Sequence, residues 1–207
     1  MAATEPLSLL FISDFVCPWC YLGLTEVERL QAEYDVEVLF APYLLDPTTP
    51  PEGKPRQRQT SADSPKTDME LRGEAAGIRY NRGRTITSNS HLALEAAEFA
   101  GEMGHGLEFH RAMFKAYFED LEDIGQRDVV VRVGEGAGLD GAELRKALEE
   151  RRFQEQVDEG IAWARSIGVT GVPTFVLDER HGIVGAQEHD VFVDLLRRIG
   201  REPLAAH

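Results

Sequence analysis

The chain contains two cysteines, and they stand three residues apart in Cys17-Pro18-Trp19-Cys20. Two thiols at this spacing suit reversible disulfide chemistry, in which one sulfur attacks and the other closes a ring. Residues i and i+3 share one face of a helix, about 5–6 Å apart, which is within the Cα reach of a disulfide. The motif follows an apolar run, Leu7-Ser8-Leu9-Leu10-Phe11-Ile12, that reads as a buried strand, and it precedes a stretch of helical periodicity. It therefore sits at a strand-to-helix turn. Backbone N–H groups at a helix start lack partners, and the helix dipole adds positive charge there. Both favour a thiolate, and a cysteine that ordinarily titrates near ~8.5 can fall to ~3.5–7.5 in such a place. Pro18 fits the first helical position because no donor is needed there. Cys17 is the expected nucleophile, and Cys20 the more buried resolving thiol.

Other uses of two thiols have to be weighed. Structural zinc takes four Cys or His ligands. There is no second CxxC, and the six histidines contain no matching HxxxH pair, so no metal is expected. A static bridge across two residues would constrain the unfolded chain little. It stands as the plainer alternative, together with two buried structural thiols.

The elements that must position the thiols can be read from pattern. After the first strand, a helix over about Pro18–Tyr34 and a strand over Val36–Leu45 complete a β-α-β unit, which normally has parallel strands and a right-handed crossover. A long irregular stretch from Asp46 to about Thr67 follows, with five prolines. From Asp68 to about Phe153 the pattern predicts helices without strands: Met69–Gly77, Ser88–Met103, Gly106–Leu121, Arg127–Gly136 and Ala142–Phe153. The aromatic residues of this stretch read as the core of a small bundle, and Asp140 with Glu143 reads as a helix-capping pair. The last part predicts a helix over Glu155–Ile167, a strand over Thr174–Asp178, a short strand at Ile183-Val184 and a helix over Asp190–Ile199. The expected division is a discontinuous domain, 1–67 with 154–207, interrupted by a helical insertion at 68–153.

Composition bounds the class. The chain has 207 residues, 43% hydrophobic and 28% charged, with a net charge of −14. This is ordinary for a soluble globular protein. The acidity argues against nucleic acid or an anionic membrane as a partner. The apolar run at Leu7–Ile12 is too short for a secretory core or a membrane span. The expected location is the cytoplasm, where a lone CxxC points to catalysis or redox sensing rather than to a structural staple.

Two separated motifs carry a family resemblance. Cys17-Pro18-Trp19-Cys20 stands at the first strand-helix turn, and Gly171-Val172-Pro173-Thr174 stands just before a late strand. The pair resembles the DsbA family, an α/β class with a thioredoxin-like fold and an inserted all-helical subdomain. The longer stretch Ser13-Asp14-Phe15-Val16-Cys17-Pro18-Trp19-Cys20-Tyr21-Leu22-Gly23 is similar to the cytoplasmic FrnE-like branch, which is related to the 2-hydroxychromene-2-carboxylate isomerases. The resemblance implies a cis peptide bond between Val172 and Pro173 beside the thiols. It also implies that Val172 offers backbone groups to an extended substrate, with Pro18, Trp19 and Pro173 as neighbouring contacts. By resemblance Asn89 faces the same cleft, although capping of the helix that begins there is the competing reading. Thioredoxins carry a buried Asp six residues before the first cysteine; here that position is Phe11. Asp14 reads as a solvent-facing cap. His91, His105 and His110 read as surface histidines. Arg79, Arg82 and Arg84 read as a solvated basic loop, with an anionic substrate such as glutathione as the sharper reading.

The expected activity is thiol–disulfide oxidoreduction of protein or small-molecule substrates, with no cofactor other than glutathione in the role of co-substrate. Two rivals stand beside it. One is a glutathione-dependent isomerase of a small aromatic or polyketide-like compound, against which the intact CPWC counts because those isomerases tend to carry serine in place of Cys17. The other is a non-enzymatic redox sensor. Substrate, direction of electron flow and oligomeric state are left open by the sequence.

Overall fold

A computed structural model of the chain describes residues 6–56, 61 and 63–205. A four-stranded sheet runs through the centre in the order β2-β1-β5-β6. Strand β1 (Leu7–Ser13) is parallel to β2 (Val36–Pro42), joined through helix α1 (Pro18–Glu33). Late in the chain, β5 and β6 (Thr174–Leu177 and His181–Val184) form a hairpin, and β5 lies antiparallel to β1 with Phe11 opposite Phe175. As the central strand, β1 is covered on both faces, which is why it reads as a nearly continuous apolar run. Alternate residues point to opposite faces. Leu9 and Phe11 join the main core, while Ile12 packs with Tyr43 and Ala164 beneath α7 (Gln154–Ser166). Phe11, Phe175 and Phe192, the last from α8 (His189–Arg198), meet edge to face or tilted at 4.9–5.1 Å.

Between β2 and α7 lie α2 (Asp68–Ala75), α3 (His91–Glu102), α4 (Gly106–Phe118), α5 (Arg127–Gly136) and α6 (Gly141–Glu149). Helix α2 begins with a capping box made by Thr67 and Glu70. Asp140 caps α6 by accepting from the N–H groups of Ala142 and Glu143, as its spacing predicts. One expectation fails: the stretch is not free of strands. Ile86–Thr87 forms β4, which pairs antiparallel with β3 (Lys54–Pro55) in the proline-rich segment. A two-residue ladder is too short to leave a periodic signal, and Pro55 can sit in it because the strand is an edge. Part of that segment, 57–60 and 62, lies outside the described residues.

The aromatic residues of α4 do not form a separate bundle core. They belong to the same apolar cluster as β1, α1 and β5. Phe15, in the turn after β1, packs against Phe109 and Phe114 at 6.1 and 5.0 Å. Tyr21 of α1 stacks on Phe114 at 5.4 Å and donates a hydrogen bond to Glu119. Helix α4 thus grips the turn that carries the thiols.

Candidate active site

The strand-to-helix turn is built by its backbone. The N–H of Cys17 donates to the Asp14 carbonyl, and the N–H of Cys20 donates to the Cys17 carbonyl, each at 3.0 Å. Cys17 is the N-cap of α1 in extended conformation, and Pro18 takes the first helical position. The two thiols are free and lie about 3.4 Å apart. Cys17 keeps 4% of its surface exposed and Cys20 none. This difference separates their chemistry. The Cys20 thiol donates toward Cys17 and holds the Cys17 thiol below its ordinary range. Burial opposes this, and the N–H groups of Cys20 and Trp19 support it. Burial pushes Cys20 well above its ordinary value, and the neighbouring Cys17 adds to the rise. One sulfur is prepared to ionise, and the other to keep its proton.

Across the site, the Val172–Pro173 peptide is cis, and the Val172 carbonyl accepts from the Cys17 thiol at 3.5 Å. Pro173 packs directly on α1. A Cβ added at Gly23 would lie 3.0 Å from the Pro173 ring and 3.1 Å from Phe175, so any larger residue here would make one of them give by a few tenths of an ångström. Trp19 is the exposed member of the motif, at 36%. The Arg72 guanidinium of α2 lies 5.7 Å from its ring and donates to the Ala186 carbonyl at 2.7 Å. Of the four expected contact residues, Val172 meets the Cys17 thiol directly, Pro173 packs on α1 at Gly23, and Pro18 and Trp19 lie between the two cysteines in the first turn of the helix.

Asn89 is used otherwise. Its amide donates to the Thr49 carbonyl at 2.7 Å, and its side-chain oxygen accepts from the His91 N–H at 2.9 Å. Both ends hold main chain, in the turn just before α3, whose N-cap is Ser90.

Three expectations are corrected. Asp14 is fully buried, not solvent-facing. Its carboxylate accepts from the N–H groups of Leu45 at 2.7 Å and Val16 at 3.2 Å, because the turn leaves those donors without other partners. Burial raises its pKa, against the pull of these bonds and of Ser90. Its negative charge in turn raises both thiols. His110 is buried rather than at the surface. Its ring stacks on Phe40 at 3.8 Å and bonds the Gly106 carbonyl, and burial lowers its pKa to about 4. Arg84 is also buried, at 7% exposure. Arg82 is drawn from the solvated loop into an ion pair with Glu70 at 2.5 Å, while Arg79 stays exposed.

One residue escaped the sequence reading altogether. Tyr80 donates to the Pro18 carbonyl at 2.6 Å. Burial, and then the charges of Cys17 and Cys20, hold its phenol above the ordinary range. A faint signal was available. Gly73 inside α2 marks a close backbone approach, and the group it admits is the Tyr80 ring.

No group of three or more His, Cys, Asp or Glu among the described residues could hold a metal ion. His91 is engaged instead with Glu95 and Asp158 at 2.9 and 3.0 Å. No described helix is long and apolar enough to cross a membrane.

Comparison with known proteins bears on the fold. The uncharacterized protein YwbO of Bacillus subtilis is 32% identical over 182 residues, covering 87% of this chain and 90% of its own. The structure of a probable DsbA oxidoreductase, SCO1869 of Streptomyces coelicolor, superposes with a TM-score of 0.83 at 26% identity, over 97% of this chain and 94% of that one. A 2-hydroxychromene-2-carboxylate isomerase shares the fold, with a TM-score of 0.72 at 17% identity over 93% and 95% of the two chains. Residues 8–197 match the model of the DSBA-like thioredoxin domain, and the chain belongs to that family.

Proposed function

We propose that this protein is a thiol–disulfide oxidoreductase that exchanges the Cys17–Cys20 dithiol with a disulfide in a protein or small-molecule substrate. The observation that carries the reading is the opposed pair of thiols, one lowered in pKa and slightly exposed, the other raised and fully buried, about 3.4 Å apart. The Cys17 thiolate attacks one sulfur of the substrate disulfide. A Cys17–substrate disulfide forms, and the other substrate sulfur leaves as a thiolate that takes up a proton. Cys20 then loses its proton and attacks the Cys17 sulfur. The Cys17–Cys20 disulfide forms and the second substrate thiolate leaves, so two electrons have passed from the protein to the substrate. Oxidation of a substrate dithiol is the reverse sequence. The thiolate is the reacting species at each step.

The surroundings give the other residues their parts. Pro18, Trp19, Val172 and Pro173 are the substrate contacts in this reading, and the Val172 backbone is offered to an extended strand. The second step needs a proton acceptor for Cys20. Asp14 is put forward for that part, as a buried carboxyl whose charge acts on both thiols and whose own pKa burial raises. No cofactor enters the cycle. Glutathione disulfide is one small-molecule substrate of the right chemistry. A cytoplasmic location belongs to the same reading, since the only two cysteines form the motif.

The test is to trap the intermediate. Cys20→Ser incubated with a disulfide-bonded protein such as insulin should accumulate a mixed disulfide at Cys17, visible by mass spectrometry. Cys17→Ser should form none and should lose insulin reduction. Full insulin reduction by Cys17→Ser overturns the proposal.

A further inference from the structure

A cavity of about 160 Å³ adjoins the thiol turn. Pro18 and Tyr80 form one side of it, and Arg56, Arg82, Arg84 and Glu70 contribute its charges. The charges do not balance. Arg82 is satisfied by Glu70, with bonds of 2.5 and 2.6 Å, and by the carbonyls of Ser61, Ser64 and Pro65. That leaves Arg56 and Arg84, neither of which has an ion-pair partner among the described residues.

Arg84 is the more telling of the two. Its side chain is buried, and both terminal nitrogens are shielded from solvent without a hydrogen-bond partner. It lies over the Tyr117 ring at 3.4 Å and near Phe118 at 5.9 Å. The Tyr117 hydroxyl is likewise buried and unpartnered. A stacked ring offsets part of the cost of burying a guanidinium, but a buried charge ordinarily also finds a counter-ion. Burial works hardest against the Arg84 charge; Tyr117 favours it, the nearby Arg56 opposes it, and Asp123 helps only from beyond contact. Acid is not scarce in this chain, which has 36 Asp and Glu against 22 Lys and Arg. Glu70, the acid among the described lining residues, is taken up by Arg82, which leaves Arg56 and Arg84 without one.

We infer that this cavity is a carboxylate subsite of the thiol centre, and that the preferred substrates are small disulfides bearing a carboxylate a few atoms from sulfur. The planar fork of an arginine suits a carboxylate with two parallel bonds, and Arg56, exposed at the rim of the cavity, presents one, with the buried Arg84 charge behind it. The volume admits such a group with a short stem. The location supplies the link to chemistry, since Pro18 lines the cavity and its Cα stands about 3.8 Å from that of Cys17. Tyr80 fixes this wall by its bond to the Pro18 carbonyl. The inference rests on the oxidoreductase reading and names the substrate class for it.

Three disulfides of similar size test it: 3,3′-dithiodipropionate, a dianion; bis(2-hydroxyethyl) disulfide, neutral; and cystamine, a dication. Their rates of oxidising the wild-type dithiol are each divided by the rate with free dithiothreitol, which removes intrinsic reactivity. A chain of net charge −14 would by long-range attraction favour cystamine. The subsite predicts the opposite order, with the dianion ahead of the neutral compound by about tenfold, as charged hydrogen bonds warrant. Arg84→Met and the exposed-side Arg56→Gln should each bring that ratio close to one, and Arg84→Lys should restore it in part. Suberate, an eight-atom dicarboxylate without sulfur, should bind to Cys17→Ser/Cys20→Ser protein and lose affinity in the arginine variants, measured by calorimetry. Arg56→Gln keeps the test open if Arg84→Met fails to fold. Equal normalised rates for all three disulfides overturn the subsite and leave the oxidoreductase reading intact. Absence of reaction with any of them overturns that reading, and suberate binding then still decides whether the anion site exists.

Discussion

Replacing Cys20 by alanine should raise the pKa of Cys17 by about one to two pH units. The largest influence lowering the Cys17 thiol is the hydrogen bond from the Cys20 thiol, ahead of the N–H groups of Cys20 and Trp19. A hydrogen bond to a charged group contributes about 1.5–3 kcal/mol, and one pKa unit corresponds to about 1.36 kcal/mol. The upper end is reduced because the backbone donors remain and water can enter the space left by the sulfur. Cys20→Ser is the control, because its hydroxyl keeps a donor near the same place, and it should raise Cys17 by less than alanine does. The assay is the rate of iodoacetamide alkylation at Cys17 against pH, with the modified site confirmed by mass spectrometry. In the wild type the midpoint should lie below the ordinary cysteine value, while Cys20 stays unmodified until far higher pH. If Cys20→Ala left the Cys17 midpoint where it was, the stabilising donor would be the helix start itself, and the two-thiol account of the nucleophile would be wrong.

Asp14→Asn removes a buried negative charge that raises both thiols, so the Cys17 midpoint should fall; resolution of a trapped mixed disulfide by Cys20 should nevertheless slow, and a rise in the midpoint would show that Asp14 does not act through its charge. Burial keeps His110 neutral, with a pKa of about 4 in the fold against an ordinary 6.5. Between those values the unfolded chain binds the proton and the folded chain does not, so this stabilisation is intact above about pH 6.5 and is lost as the pH falls to about 4. At about 1.36 kcal/mol per pH unit it amounts to about 3 kcal/mol, and denaturant melts of His110→Phe should lack that part of the acid loss. Gly23→Ala should cost about 1–3 kcal/mol by overpacking against Pro173 and Phe175, seen as a lower Tm; an unchanged Tm would mean that α1 can move away from Pro173 freely.

The sequence carried the parts of this molecule that depend on periodicity and on short motifs. The β-α-β start, the hairpin at the end and most helix spans follow from apolar spacing, and the thiol turn follows from a strand, a proline and two cysteines. Pattern failed where a polar residue is drawn inward by a distant partner. Asp14 looks like a turn residue, and only the fold brings the Leu45 N–H to it. His110 lies in α4 among residues that already alternate between buried and exposed, and Phe40 of β2 supplies its stacking surface. Arg84 reads as loop until Tyr117 of α4 is placed beneath it. Tyr80 reaches Pro18 across 62 positions of sequence, a separation that no local signal spans. The corrections concentrate around the thiol turn because burial of polar groups there is a tertiary effect, paired through backbone donors rather than through neighbours in sequence.

The most direct measurement is an equilibrium titration of the Cys17–Cys20 pair against glutathione and dithiothreitol redox buffers. The account predicts one reversible two-electron couple, absent from Cys17→Ser and Cys20→Ser. Because a stabilised Cys17 thiolate favours the dithiol, its potential should lie above the thioredoxin value of about −270 mV, toward about −120 mV. A pair that shows no reversible couple in either buffer would contradict the account.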